Sequence, residues 1–405
     1  MRRVILTVLD GLGVGAMDDV SQVRPQDKGA DTLRHVAENS SLVIPNLEKM
    51  GAGRLTRSDK IKKAESPIAS FGSSNLAHFG ADTYQGHQEI MGTKPKMPVI
   101  RPFRDYIDKV ESALKAAGYD VERPDPAHPF LLVNGLVTVA DNLEADPGQN
   151  YNLTAPLDHI SFEDELKIGR VVRENVEVGR VIVFGGREVT VEDILKAEEI
   201  KPGDIVGIDA PKSGVYRTGY MVRHLGYGVQ PDVQTPTILR KAGYDVSLIG
   251  KMADVIECSG AEYLPMVETE GVLALILDRM KAQRGGLIAA NVQETDLAGH
   301  SQDPVRYADR LMTVDVFLPR ILDGMEDEDM LIITGDHGND PTVGHSHHTR
   351  ERAILLVYGR RLNRTDLGVR ATLSDIGATV ADYLGVARPE NGRSFLKDIL
   401  PQAMI

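Results

Sequence analysis

Residues 331–350 read LIITGDHGNDPTVGHSHHTR. The apolar run Met330–Ile333 that leads into this stretch has the length and branching of a buried strand. It stops at Thr334-Gly335; Asp336 and His337 follow at once, and His345, His347 and His348 come soon after. Four of the chain's 11 histidines are gathered here, a density that a solvated surface loop has no need of. A carboxylate and several imidazoles at the C-terminal mouth of a buried strand are the ingredients of a metal site.

Two other stretches repeat this grammar. Val4–Leu9 reads as a buried strand and runs into Asp10-Gly11-Leu12-Gly13-Val14-Gly15. The glycine spacing is GxGxG and an acid precedes it, so the dinucleotide fingerprint is not met. Asp10 is better read as a ligand reaching over the sheet than as a turn cap. Gly286–Val292, GLIAANV, is a third strand, and it opens into Glu294, Asp296 and His300. Asp303-Pro304 then starts a helix by N-cap and N1 preference, with Tyr307, Leu311, Val314, Leu318 and Ile321 on its apolar face. Strand Val246–Ile249 ends at Gly250-Lys251, and strand Ile354–Tyr358 and helix Leu373–Leu384 close the αβ alternation. Phe71–Thr93 is a loop rich in Gly, Ser and Thr that carries Asp82-Thr83, His87 and Glu89, and it is the place to look for a nucleophile.

Between residues 98 and 216 the texture changes to short β-like runs with many Pro and Gly breaks, and none of the ligand clusters falls there. This predicts an α/β core, residues 1–97 and 217–405, with a central mostly parallel sheet flanked by helices. Residues 98–216 are predicted to form an inserted α+β cap domain.

The chain has 405 residues and a net charge of −13, which argues against a nucleic-acid surface. An acidic protein acting on an anion must concentrate positive charge locally, and metal ions would do so. The single Cys258 excludes an internal disulfide and suits a reducing compartment. Asp10 interrupts the N-terminal apolar run too early for a signal h-region or a membrane span, so the expectation is a cytoplasmic protein with no membrane partner.

Together the three strand ends offer Asp10, then Asp296 with His300, then Asp336, His337 and one or more of the later histidines. That is enough for two metal ions, each with open positions. Carboxylate and imidazole without thiolate favours Mn²⁺ or Zn²⁺. Two ions about 3.5–4 Å apart can hold the attacking and leaving oxygens of an in-line phosphoryl displacement. A threonine hydroxyl on one ion would become a nucleophile, and Lys251 is a candidate cation for the phosphate.

These residues carry a resemblance to the phosphopentomutases, of the alkaline phosphatase superfamily that also holds cofactor-independent phosphoglycerate mutase. The matching stretches are Asp10-Gly11-x-Gly13-x-Gly15, Gly29-Ala30-Asp31-Thr32-Leu33, Pro45-Asn46-Leu47, Asp82-Thr83-x-x-Gly86-His87-x-Glu89-Ile90-Met91-Gly92, Arg217-Thr218, Gly250-Lys251, Gly299-His300, Asp336–Thr342 and His348-Thr349-Arg350. The resemblance implies an alkaline-phosphatase-like core with two Mn²⁺ ions at the cleft beneath the cap, Zn²⁺ and Mg²⁺ being less favoured. One ion would be held by Asp10, Asp336, His337 and the Thr83 oxygen, the other by Asp296, His300 and His348. Thr83 would carry a phosphoryl group, exchanged with ribose (or deoxyribose) 1-phosphate and 5-phosphate through a bisphosphate, with a sugar bisphosphate such as glucose 1,6-bisphosphate as activator. Lys251, Arg217, Asp82, His87 and, in the cap stretch Tyr151–Asp158, Thr154 would contact substrate or phosphate. The expected partner is a small phosphorylated sugar, and a monomer is slightly favoured.

Some positions depart from the family pattern. Asp296 and His300 stand four apart, the phosphoglycerate mutase spacing, which still places both on one helix face, with Glu294 as a substitute ligand. His345 and His347 are extra, and Gln88 stands where an aromatic residue is expected. Alternative readings are a mutase of the same family acting on another phosphorylated small molecule, a metal-dependent phosphatase, and a metal-binding protein without catalysis.

Overall fold

The computed structural model describes residues 2–144 and 147–401. The chain divides into two compact units, Met1–Pro95 with Gln230–Ile405, and Lys96–Val229.

The first unit is built on a nine-stranded sheet. Arg3–Leu9 lies at its centre, parallel to Gly286–Val292 on one side and to Asp329–Thr334 on the other. Val246–Ile249 and Glu262–Leu264 extend the parallel half. Beyond Asp329–Thr334 comes Glu351–Tyr358, antiparallel to it, and then Ser70–Ser74, antiparallel in turn to Glu351–Tyr358 and so aligned with the central strands. Both faces of the sheet are covered, which is why its strands read as unbroken apolar runs rather than alternating ones. Ile5 and Leu9 pack on one face, with Ile276 of the helix Thr269–Ala282 and Tyr307, Leu311 and Leu318 of the helix Pro304–Gly324. Val4, Leu6 and Val8 pack on the other, with Leu239, Ile376 and Val380. Asp303 caps the long helix, accepting the N–H groups of Val305 (3.1 Å) and Arg306 (2.9 Å) as its sequence predicts.

The expected loop at 71–93 is replaced at both ends. Ser70–Ser74 is a strand of the sheet, and Thr83–Ile90 is a helix capped by the Asp82 carboxylate, which accepts the Gln85 N–H at 2.8 Å. Glycine and polar residues hid this helix, because its stability comes from the cap and from burial of Tyr84, His87 and Glu89 rather than from an apolar stripe.

The second unit is α+β. Its six-stranded sheet runs in the order Thr218–Gly226, Arg180–Arg187, Asn150–Pro156, Val137–Asp141, Leu131–Val133, Val121–Glu122. Asn150–Pro156 and Arg180–Arg187 are parallel and joined through the helix Phe162–Asn175, while the other neighbours are antiparallel. The expected boundary at 217 falls just before Thr218–Gly226, and that strand pairs with Arg180–Arg187, so the unit continues to Val229. Among the described residues no helix is long and apolar enough to cross a membrane.

One buried group in this unit makes its stability depend on pH. Glu165 is fully buried on the helix Phe162–Asn175, and neither carboxylate oxygen has a partner among the described residues. Burial pushes its carboxyl up to about 9. The folded chain therefore keeps a proton that the unfolded chain releases above its ordinary value, and stability falls as pH rises between the two. At about 1.4 kcal/mol per unit, the loss by pH 7 is on the order of 3 kcal/mol. Glu165→Gln removes the titration, so its melting temperature relative to wild type is expected to rise steadily from pH 5 to pH 8. An offset that does not change with pH would contradict this.

Candidate active site

All three strand ends predicted to carry ligands open on the same side of the core sheet, and backbone and side-chain bonds stitch them together. Gly11 follows Asp10 in the left-handed region (φ +75°), its N–H donates to Asp336 Oδ1 at 3.1 Å, and its carbonyl accepts the Asn339 N–H at 2.8 Å. Thr295 Oγ1 donates to the Asp10 carbonyl at 2.7 Å, joining the second cluster to the first. Asn339 Nδ2 donates to Asp296 Oδ1 at 2.8 Å, joining the third to the second.

Asp10, Asp336 and His337, all fully buried, form one group whose ligand atoms lie within 4.8 Å of one another. Thr83, the first residue of its helix, donates its hydroxyl to Asp336 Oδ2 at 2.8 Å. A second group holds Asp296, His348 and again His337. His300 joins it, its Nε2 lying 3.4 Å from Asp296 Oδ2 and 3.0 Å from His348 Nε2. The rings of His337 and His348 stack with centroids 3.9 Å apart. Lys251 reaches into the first group, with Nζ 2.5 Å from Asp10 Oδ2, 3.3 Å from Thr83 Oγ1 and 3.6 Å from Asp296 Oδ2.

Three observations favour divalent cations here. The Nδ1–H groups of His348 and His300 face the carbonyls of Ala81 (2.9 Å) and Ser346 (2.6 Å), and that of His337 faces the Gly338 carbonyl (3.0 Å). Donation from Nδ1 leaves lone pairs on Nε2, the arrangement typical of metal-bound histidine. The Nε2 atoms of His300 and His348 thus meet lone pair to lone pair at 3.0 Å, which calls for a cation between them. Finally, Asp10 Oδ1 and His337 Nε2 are buried without a hydrogen-bond partner among the described residues, a costly condition unless a metal completes them.

The electrostatics agree. Burial would raise the Asp336 carboxyl, but the neighbouring His337 and His87 hold it well below the usual range. Burial likewise opposes charge on Asp296, yet the neighbouring imidazoles of His300, His348 and His337 hold its carboxyl well below the usual range. Burial and the nearby His337 lower the His348 pKa, which preserves its lone pair at neutral pH. Lys251 stays charged despite burial because Asp10, Asp296 and Asp336 surround it. Lys251 is the fixed positive charge beside these three buried carboxylates, which also raise the pKa of His337 and His300, so the cluster draws in positive charge of the kind that bound cations would supply.

The other predicted contacts fall elsewhere. His87 is fully buried, its Nε2 3.0 Å from Asn291 Oδ1 and its Nδ1 2.8 Å from the Thr83 carbonyl and 3.1 Å from Asp336. It therefore orients the helix that carries Thr83, and Asp336, and no surface is left for substrate. Asp82 serves as the cap already described. Glu294 accepts from Thr269 Oγ1 at 2.8 Å and pairs with Arg310, and it belongs to neither ligand group. Thr154 is buried in the strand Asn150–Pro156 of the second unit, and Arg217 is exposed in that unit beside Glu188, Asp193, Lys196 and Lys212. Gln88 is buried and spans Val255 and Gln234.

Sequence reasoning missed Asn291, whose Nδ2 donates to Asp10 Oδ2 at 2.8 Å. An asparagine inside the apolar strand GLIAANV was the available signal, since a buried amide requires partners. Gly86 is a second omission. A Cβ there would sit 2.6 Å from the Asp336 carbonyl oxygen, so only glycine lets the helix Thr83–Ile90 approach this closely. Gly86→Ala is expected to displace Thr83 from Asp336 and to lower kcat by about 100-fold. Steady-state kinetics alongside a thermal melt check this, and an unchanged kcat in a folded variant would refute it.

Comparison with known proteins bears on the same centre. Residues 2–388 match the family described as Metalloenzyme, the metalloenzyme superfamily. The phosphopentomutase of Alkaliphilus oremlandii (strain OhILAs) is 30% identical over 419 residues, covering 99% of this chain and 100% of that protein. The chain belongs to the phosphopentomutase family of the metalloenzyme superfamily. The phosphopentomutase of Symbiobacterium thermophilum is 31% identical over 416 residues, 98% of this chain and 99% of that one. Among solved structures, Leishmania mexicana phosphoglycerate mutase at low cobalt concentration aligns with a TM-score of 0.50 and 14% identity, covering 97% of both chains. That likeness concerns the fold alone. The core is the expected alkaline-phosphatase-like α/β sheet, and the protein is a phosphopentomutase-like isomerase.

Proposed function

We propose that this protein is a phosphosugar mutase that interconverts ribose (or deoxyribose) 1-phosphate and 5-phosphate through a phosphothreonine at Thr83 and a sugar bisphosphate. The observation that carries the reading is the position of the Thr83 hydroxyl, 2.8 Å from Asp336 and 3.3 Å from the Lys251 ammonium, at the edge of the two ligand groups. Asp10, Asp336 and His337 with the Thr83 oxygen would hold one divalent ion, and Asp296, His300 and His348 the other. Mn²⁺ is the preferred ion for this mixture of carboxylate and imidazole. When bound, such ions neutralise phosphoryl oxygens and favour the ionised threonine.

The chain's own groups do the rest. Phospho-Thr83 gives its phosphoryl group to the free hydroxyl of the sugar monophosphate. One P–O bond to Thr83 breaks as one to the sugar forms, and the hydroxyl proton passes to the threonine side. In the second half the other phosphate of the bisphosphate returns its phosphoryl group to Thr83 by the reverse exchange. Lys251 keeps a positive charge beside the oxygen that is attacked and regenerated. Asp336 holds the freed hydroxyl in place while the bisphosphate is bound, itself anchored by the Gly11 N–H and by His87.

The test is a phosphorus NMR time course on Mn²⁺-loaded protein with ribose 5-phosphate and a trace of glucose 1,6-bisphosphate. An anomeric 1-phosphate signal is expected. Free phosphate without that signal would replace the mutase reading with a phosphatase.

A further inference from the structure

Asp27, outside the ligand groups, controls the loop that delivers His348. It is fully buried, and both of its oxygens are engaged. Oδ2 accepts the backbone N–H of Arg350 at 2.8 Å and the Arg24 guanidinium at 2.6 Å. Oδ1 lies 3.1 Å from His345 Nε2. The His345 ring accepts the His347 N–H on Nδ1 at 3.3 Å, which leaves Nε2 as the proton-bearing nitrogen that donates to Asp27. Arg24, paired with Asp27, also donates to the His348 carbonyl at 2.9 Å. The segment 345–350 is therefore gripped on both sides of His348, by His345 before it and by the Arg350 backbone after it, from a single carboxylate.

We propose that Asp27 and His345 are positioning residues whose bond sets the affinity of the ion held by Asp296, His300 and His348. This rests on the two-ion reading above. His348 reaches Asp296 at 3.4 Å and His300 at 3.0 Å only while its loop is held, and Gly344 at φ +95° leaves the loop free to hinge otherwise. The Asp10, Asp336 and His337 group has no part in the grip. Releasing His345 therefore weakens one ion and spares the other.

The experiment is an Mn²⁺ titration of metal-stripped full-length protein by calorimetry, with electron paramagnetic resonance reporting spin-coupled against isolated Mn²⁺. Wild type is expected to bind two ions. His345→Ala is expected to bind the first normally and the second at least about 10-fold more weakly, with an isolated-ion spectrum at limiting metal. His345→Gln, whose amide can still donate to Asp27, restores most of the affinity. His347→Ala, which removes no side-chain hydrogen bond, leaves both ions unchanged. Two ions bound by His345→Ala at wild-type affinity overturn the proposal, as does equal weakening of both, which would mean general loosening. A wild-type protein that takes up fewer than two ions overturns the two-ion reading and the grip with it.

Discussion

Thr83→Ala is expected to lower turnover by about 10⁴-fold or more and to abolish phosphoryl uptake by the protein. A nucleophile that forms the covalent intermediate has no partial substitute, and removing one elsewhere costs a factor of this order. The fold should survive. Thr83 is a half-buried first residue of a helix whose cap is Asp82, and alanine is a good helix former. The loss leaves Asp336 with His87 Nδ1 at 3.1 Å on Oδ2 and the Gly11 N–H at 3.1 Å on Oδ1, so no buried charge is stranded. Intact mass after incubation with glucose 1,6-bisphosphate is the direct reading: wild type gains one phosphoryl group and the variant gains none. Thr83→Ser, which keeps the hydroxyl on the same carbon, should retain uptake. A Thr83→Ala protein that is phosphorylated to full stoichiometry would remove the residue from its role.

The second large effect is that of stripping metal. With the ions removed, activity should vanish, because Asp10, Asp296 and Asp336 would then face an incoming phosphate with Lys251 and imidazoles such as His337 beside them, and neither supplies the open coordination positions of an ion. Stability should fall too. A ligand bound only by the folded chain stabilises it by about 4 kcal/mol at a thousandfold excess over its dissociation constant, so chelation is expected to lower the melting temperature by several degrees. Differential scanning calorimetry with EDTA, followed by Mn²⁺ add-back, measures both effects on one sample. A melting temperature indifferent to EDTA, with activity retained, would exclude resident ions.

Much of this centre is legible from sequence because Asp10, Asp336 and His337 follow within three residues of a buried strand, and Asp296 stands on the helix that opens just after one. Gly286–Val292 and Val246–Ile249 are found with their sequence-based bounds, since strands covered on both faces write their own limits as apolar runs. The groups that orient the ligands are harder to read. Asn291 serves Asp10 from 281 residues away and Asn339 serves Asp296 from 43, and nothing local encodes such a pairing. The helix Thr83–Ile90 has no apolar period to betray it. Asp82 and His87 illustrate a related difficulty: a polar residue beside a nucleophile looks the same in sequence whether it meets substrate, caps a helix or braces a neighbour. In the segment around Thr154 the strand itself buries the side chain, which no motif reveals.

The central place of Arg3–Leu9 has a consequence for biosynthesis. Its two neighbours in the sheet are Gly286–Val292 and Asp329–Thr334, so this strand is translated long before either of its partners exists. At ordinary rates of elongation that interval is on the order of tens of seconds. Throughout it RVILTVL waits as an unpaired segment, apolar but for Arg3 and Thr7, and Asp10 waits with it. Metal capture is therefore a late event in the life of the nascent chain, and the N-terminal strand is where a holding chaperone would be needed first.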